Sequence, residues 1–147
     1  SDLLAAAEDA LAPGGLAYLP ITFDGGTIFQ PDHPADAAVE RAYHAAIDAE
    51  DGRDVHAGRH LIDAARHREG DLLAAGGSDW LVRPADGEYP ADEAYFLACI
   101  LGFVAETLSG TGVDGIEDWL ATSREQLAAG RLTYAAHQFD VLYRAPE

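Results

Sequence analysis

The chain has no lysine and no methionine, and only one cysteine, among its 147 residues. A single cysteine permits no internal disulfide and no multi-cysteine metal site. Without lysine, all nine basic residues are arginine, set against 26 acidic ones, and the net charge is −17. Nucleic acid and anionic lipid are bound largely through cationic side chains, so neither a nucleic-acid nor a membrane partner is expected. The acidity reads first as adaptation to high salt or to an arginine-biased host, and only second as a patch for a cationic partner. The longest apolar run, 94–105, is closed by Glu106 before it reaches bilayer length. No leader pattern opens the chain, and a soluble cytoplasmic protein is the expectation. Two enzyme signatures are also missing: a Gly-x-Ser-x-Gly elbow and a phosphate-cradling Walker loop.

What is present alternates between helix and strand patterns. A chain of this length suits one compact domain, 1–147, that removes roughly 70% of its unfolded surface from water. Leu3, Leu4, Ala7 and Leu11 share one face of a helix beginning at Ser1 or Asp2 and stopped by Gly14-Gly15. "LAYLPITF" at 16–23 reads as a strand ended by "DGG", although Pro20 cannot donate to a ladder and belongs at an edge or bulge. A Pro-rich loop at 27–34 and helices over 35–49 and 56–69 follow. "GDLLAAGGSDWLVRP" at 70–84 reads as a strand bulged at Gly76-Gly77. Pro90 opens a helix over 91–108 that is apolar almost all round and is therefore expected to be buried or covered. Another helix fits 115–129, and "LTYAAHQFDVLYR" at 132–144 is the closing strand. The expected fold is α/β (α+β within these residues). It has a small mixed three-stranded sheet, an antiparallel C-terminal strand pair and about five helices, with 84–130 as a helical insertion between the last two strands.

The order Leu-x-Pro-Gly-Gly, strand, "ITFDG", helices, "GGSDW", apolar helix and "HQFDVLYR" resembles the C-terminal half of class I S-adenosylmethionine-dependent methyltransferases. In that family, whose fold is Rossmann-like, the last two strands pair antiparallel at the sheet's edge. The resemblance implies methyl transfer to an unidentified acceptor, with this chain as the acceptor side. The family's Gly-rich cofactor loop and the ribose-binding acid have no counterpart here, so no cofactor residue is carried over. S-adenosylmethionine is the parent enzyme's cofactor, and this chain alone is expected neither to bind it nor to be active. The alternative is a free-standing, non-catalytic α+β binding module. Either way the 16–23 strand and the 91–108 helix predict a homo-oligomer, or pairing with a missing N-terminal half.

Ligands of open α/β sheets sit at the carboxyl ends of parallel strands. That rule selects Thr22, Phe23 and Asp24 at the end of the first strand, Phe29 and Gln30 after it, Trp80 near the end of the second, and Tyr89 and Tyr95 beyond. Competing structural roles are a turn for Asp24 and the core for Trp80 and Tyr95. His56, His60, Asp63 and His67 share a helix face with metal-compatible spacing, but opposite Leu61, Ile62 and Ala65 that face reads as solvated, with zinc the lesser alternative. His137 is expected to be a hydrogen-bonded structural residue and Cys99 a core thiol.

Overall fold

A computed structural model describes residues 2–147; of Asp2 and Ile21 only the backbone is described. Five helices and four strands follow in the order α1 (Asp2–Ala10), β1 (Leu16–Gln30), α2 (Asp36–Asp48), α3 (Ala57–Arg66), β2 (Asp71–Gly77), β3 (Trp80–Val82), α4 (Glu93–Thr107), α5 (Ile116–Ala128), β4 (Thr133–Arg144). The alternative helix start at Ser1 lies outside the described residues.

The strands form one sheet in the order β1-β4-β2, with β3 also paired to β4. β2 runs antiparallel to β4, from Asp71 opposite Arg144 to Gly77 opposite Phe139. The Gly14 N–H donates to the Pro146 carbonyl and the Ala145 N–H to the Gly15 carbonyl, which sets the start of β1 against the end of β4. The closing antiparallel pair is therefore present, but the mixed three-stranded sheet is not. β4 separates β1 from β2, and these two point the same way without pairing.

Three local expectations are corrected. The 70–84 strand is broken at Ser78–Asp79 into β2 and β3, and the irregularity falls between Leu72 and Ala74 instead of at Gly76-Gly77. β1 does not end at "DGG" but continues through Thr27–Gln30, because Gly25 takes a φ of +69° and absorbs the kink inside the strand. α4 is not buried all round: Leu97, Leu101 and Val104 are buried, whereas Tyr95 is 74% and Phe103 55% exposed. Pro20 fits where it stands, since β1 is the last strand of the order and an edge strand spares the missing donor.

The chain divides into two compact units. The first comprises Ser1–Gly26, Asp54–Trp80 and Ala136–Glu147. Its core is Leu4 of α1, Leu61 and Ala65 of α3, and Val141 and Tyr143 of β4, flanked by Leu19, Ile62 and Leu72. Gly58 lets α3 lie close to the sheet, for a Cβ there would meet the Phe139 ring at 2.7 Å and the Thr22 carbonyl at 3.0 Å. The second unit comprises Thr27–Arg53 and Leu81–Ala135. There α4 packs on α5 and α2, around Val39, Leu97, Leu101, Val104, Trp119 and Tyr134. Phe29 meets Trp119 edge-on at 5.0 Å and Tyr134 at 5.2 Å, an aromatic nucleus in the tilted arrangements that ring quadrupoles favour.

Candidate functional site

Within the second unit, the last residues of β1 and the first turns of α2 enclose a cavity of about 180 Å³. On α2, Asp36, Glu40 and Tyr43 stand at i, i+4 and i+7, so one helix face presents two carboxylates and a phenol. Phe29 and the indole of Trp119 form the apolar side.

The polar groups are held to different degrees. Asp36 accepts the Trp119 Nε1–H at 2.7 Å and the His33 backbone N–H at 2.6 Å, so both of its oxygens are engaged. Asp32 accepts from the Gln30 amide at 2.8 Å near the rim. Glu40 has a looser contact, its Oε1 lying 3.5 Å from the Thr27 N–H, at the limit of hydrogen bonding. The Thr27 hydroxyl shares a 3.1 Å hydrogen bond with His44 Nε2. Burial raises the Tyr43 hydroxyl above the ordinary phenol value, which leaves it a neutral donor and acceptor at pH 7. No arginine, and no side chain positively charged at pH 7, lines the cavity.

Of the residues selected from the sequence, only Phe29 and Gln30 reach this cavity. They form the carboxyl end of β1, which runs further than the sequence suggested. Asp24 is neither a turn former nor a free ligand group. It is 4% exposed, accepts the Arg59 backbone N–H at 2.9 Å, and takes the Arg59 guanidinium on both oxygens. Burial alone would raise its carboxyl, but the Arg59 hydrogen bonds outweigh that and hold it below the usual value. Thr22 and Phe23 belong to the same unit as Asp24, and the Thr22 carbonyl faces Gly58. Tyr89 donates its hydroxyl to the Leu132 carbonyl at 2.7 Å. Tyr95 and Trp80 are not core residues: Trp80 is 47% exposed and sits with Tyr18 over a shallow cleft that also includes Asp140 and Gln138.

The residues missed were Asp36, Glu40, Tyr43 and Trp119. Their signal was the α2 face, where carboxylates alternate with the apolar stripe at helical spacing.

The histidine face does not assemble a metal site. His60 Nδ1 pairs with Asp54 at 2.6 Å, His67 Nδ1–H donates to the Asp63 carbonyl at 2.8 Å, and the His56 and His60 rings are 6.3 Å apart. Among the described residues no group of three or more His, Cys, Asp or Glu could hold a metal ion. His137 Nδ1 lies 2.6 Å from Asp79, as expected of a structural histidine, while Cys99 is half-buried and not deep in the core. Among the described residues no helix is long and apolar enough to cross a membrane.

No family profile matches this chain, and no curated protein matches it either.

Proposed function

We propose that the chain is the acceptor-binding portion of a Rossmann-like, S-adenosylmethionine-dependent methyltransferase. The observation that carries this reading is the closing strand: β4 lies between β1 and β2, antiparallel to β2 from Asp71–Arg144 to Gly77–Phe139. This is the edge pair that the sequence resemblance implies. The cavity at the carboxyl end of β1, with aromatic and polar groups in its wall, is the place assigned to the acceptor.

The residues of this chain do not fit the cofactor. Among the described residues no Gly-x-Gly turn links a strand to a helix, the one at Gly110–Gly112 lying between α4 and α5, and the β1–α2 cavity of about 180 Å³ is itself below the roughly 300–1,000 Å³ of sites for drug-sized ligands. No chemical step is therefore assigned to these residues. Their part is to bind and align the acceptor, which is the main requirement when a good nucleophile meets a reactive donor.

Calorimetric titration of S-adenosylmethionine tests the reading, on this chain and on the reading frame extended upstream of Ser1. No binding to the chain and saturable binding to the extended protein are expected. Tight binding to the 147-residue chain, or none to the extended one, overturns it. A non-catalytic interaction module is the second reading, favoured by Tyr95 and Phe103 exposed on α4.

A further inference from the structure

We propose that the cavity of the second unit takes a small organic amine, bound as its ammonium form against the aromatic wall and the Glu40 carboxylate. The inference deepens the acceptor-site reading and rests on it for the cavity's role, but not for its chemistry.

The first argument is charge. Among the described residues, Asp32, Asp36 and Glu40 line a space whose wall has no side chain charged positively at pH 7, and although Arg53 acts on Tyr43 from outside it, the three carboxylates disfavour an anionic ligand. The second is hydrogen-bonding capacity. An ionised carboxylate only accepts, and each Asp36 oxygen already holds one short hydrogen bond, from Trp119 or from His33. Glu40 holds one long contact, from the Thr27 N–H, and has acceptor capacity left for a ligand N–H. The third is the wall. Phe29, Tyr43 and Trp119 offer ring surface beside those carboxylates, and a cation near such rings gains attraction that a neutral ligand does not. Trp119 is 1% exposed and pinned by its bond to Asp36, so the wall is fixed before the ligand arrives. The size limits the ligand to about one ring with a short amine arm.

The experiment uses the full chain carrying Trp80→Phe, which leaves Trp119 of the two tryptophans as the fluorescence reporter. Tyramine and 3-(4-hydroxyphenyl)propionate share a ring and differ in the charge of the arm. Each is titrated without S-adenosylmethionine, by fluorescence and by calorimetry. Tyramine is expected to bind saturably and at least tenfold more tightly than the propionate. Glu40→Gln is expected to weaken tyramine at least tenfold, while Glu117→Gln, an exposed acid on α5 outside the cavity, leaves it unchanged. The proposal is overturned if the propionate binds as well, if tyramine does not saturate, or if Glu117→Gln weakens it as much as Glu40→Gln. In that last case only the overall negative charge attracts the amine. Cofactor binding by the extended protein reads the methyltransferase proposal separately, so either idea can fail alone.

Discussion

In the first unit arginines take two of the carboxylates that leave the surface, while a third, Asp140, accepts from the Tyr18 and Ser78 hydroxyls. Asp24 is clasped by Arg59, and Glu8 by Arg68 and the Tyr143 hydroxyl. In the second unit Asp36 is satisfied by neutral donors, and Glu40 faces a cavity with no arginine in its wall. Both units come from the same acidic, lysine-free composition. Composition alone therefore does not mark a site; the difference lies in which carboxylates the fold leaves without a cation. The first unit uses its ion pairs to fasten helices to the sheet. Asp24 supplies the missing acceptor at the start of α3, whose own N-cap, His56, makes no side-chain cap bond.

The sharpest way to break the comparison is to remove the rigid wall of the second unit. Trp119→Ala deletes a fully buried ring, its edge-on contact with Phe29 and the donor to Asp36, and should cost about 4 kcal/mol in urea unfolding. A loss below about 1 kcal/mol would mean that this wall is not packed as described.

A smaller effect separates the two kinds of carboxylate. Asp24→Asn leaves the shape but weakens the Arg59 clasp, and a loss of about 1–2 kcal/mol is expected from a charge-assisted pair whose carboxylate is buried and whose guanidinium is half exposed. Glu40→Gln should shift stability by no more than about 0.5 kcal/mol, since its one long contact survives in the amide. Equal losses from the two substitutions would erase the distinction between units.

Acid titration addresses the same contrast without a change of core. Hydrogen bonds from Arg68 and then Tyr143 hold the Glu8 carboxyl down from 4.5 to about 2. A depressed carboxyl stabilises the fold above its unfolded value and ceases to do so as pH falls through the folded one. This contribution is therefore lost between pH 4.5 and about 2, and Glu8→Gln should flatten that limb of a circular-dichroism acid titration. An unchanged limb would show that the Glu8–Arg68–Tyr143 cluster does not form in solution.

The smallest effect on stability concerns assembly. Tyr95 and Phe103 on α4 leave apolar surface uncovered, as do Leu16 and Tyr18 on the edge strand β1. Light scattering at moderate salt should give the mass of a dimer or higher oligomer. Phe103→Glu should shift that mass downward while moving stability by about 0.5 kcal/mol or less. A monomeric parent chain would remove the expectation.

Legibility in the sequence followed local determinants. α2 and α5 were found within one residue at each end because apolar periodicity and glycine stops are local properties. The closing pair was anticipated from the family resemblance, and β4 alternates with one slip at Phe139–Asp140, burying Tyr134, Ala136 and Gln138 before it and Val141 and Tyr143 after it. The length of β1 was not legible. "DGG" has the composition of a turn, and only pairing with β4 shows that Gly25, despite its positive φ, lies within a strand. The candidate site was half legible for the same reason. Phe29 and Gln30 were named from their place after a strand, but Trp119 is 90 residues further along the chain and nothing local links it to them.

The sequence by itself determined the charge, the helix periods and the alternation that seats β4. Each of these follows from residue identity and from spacings shorter than one element. Tertiary structure decided which acids are neutralised. Asp24 and Asp36 are both followed by small residues and look alike in the sequence, yet one meets Arg59 and the other an indole N–H. The physical reason is that a carboxylate's role depends on what lies within about 3–4 Å of it. Those neighbours, 35 and 83 residues away along the chain, are brought there by folding alone.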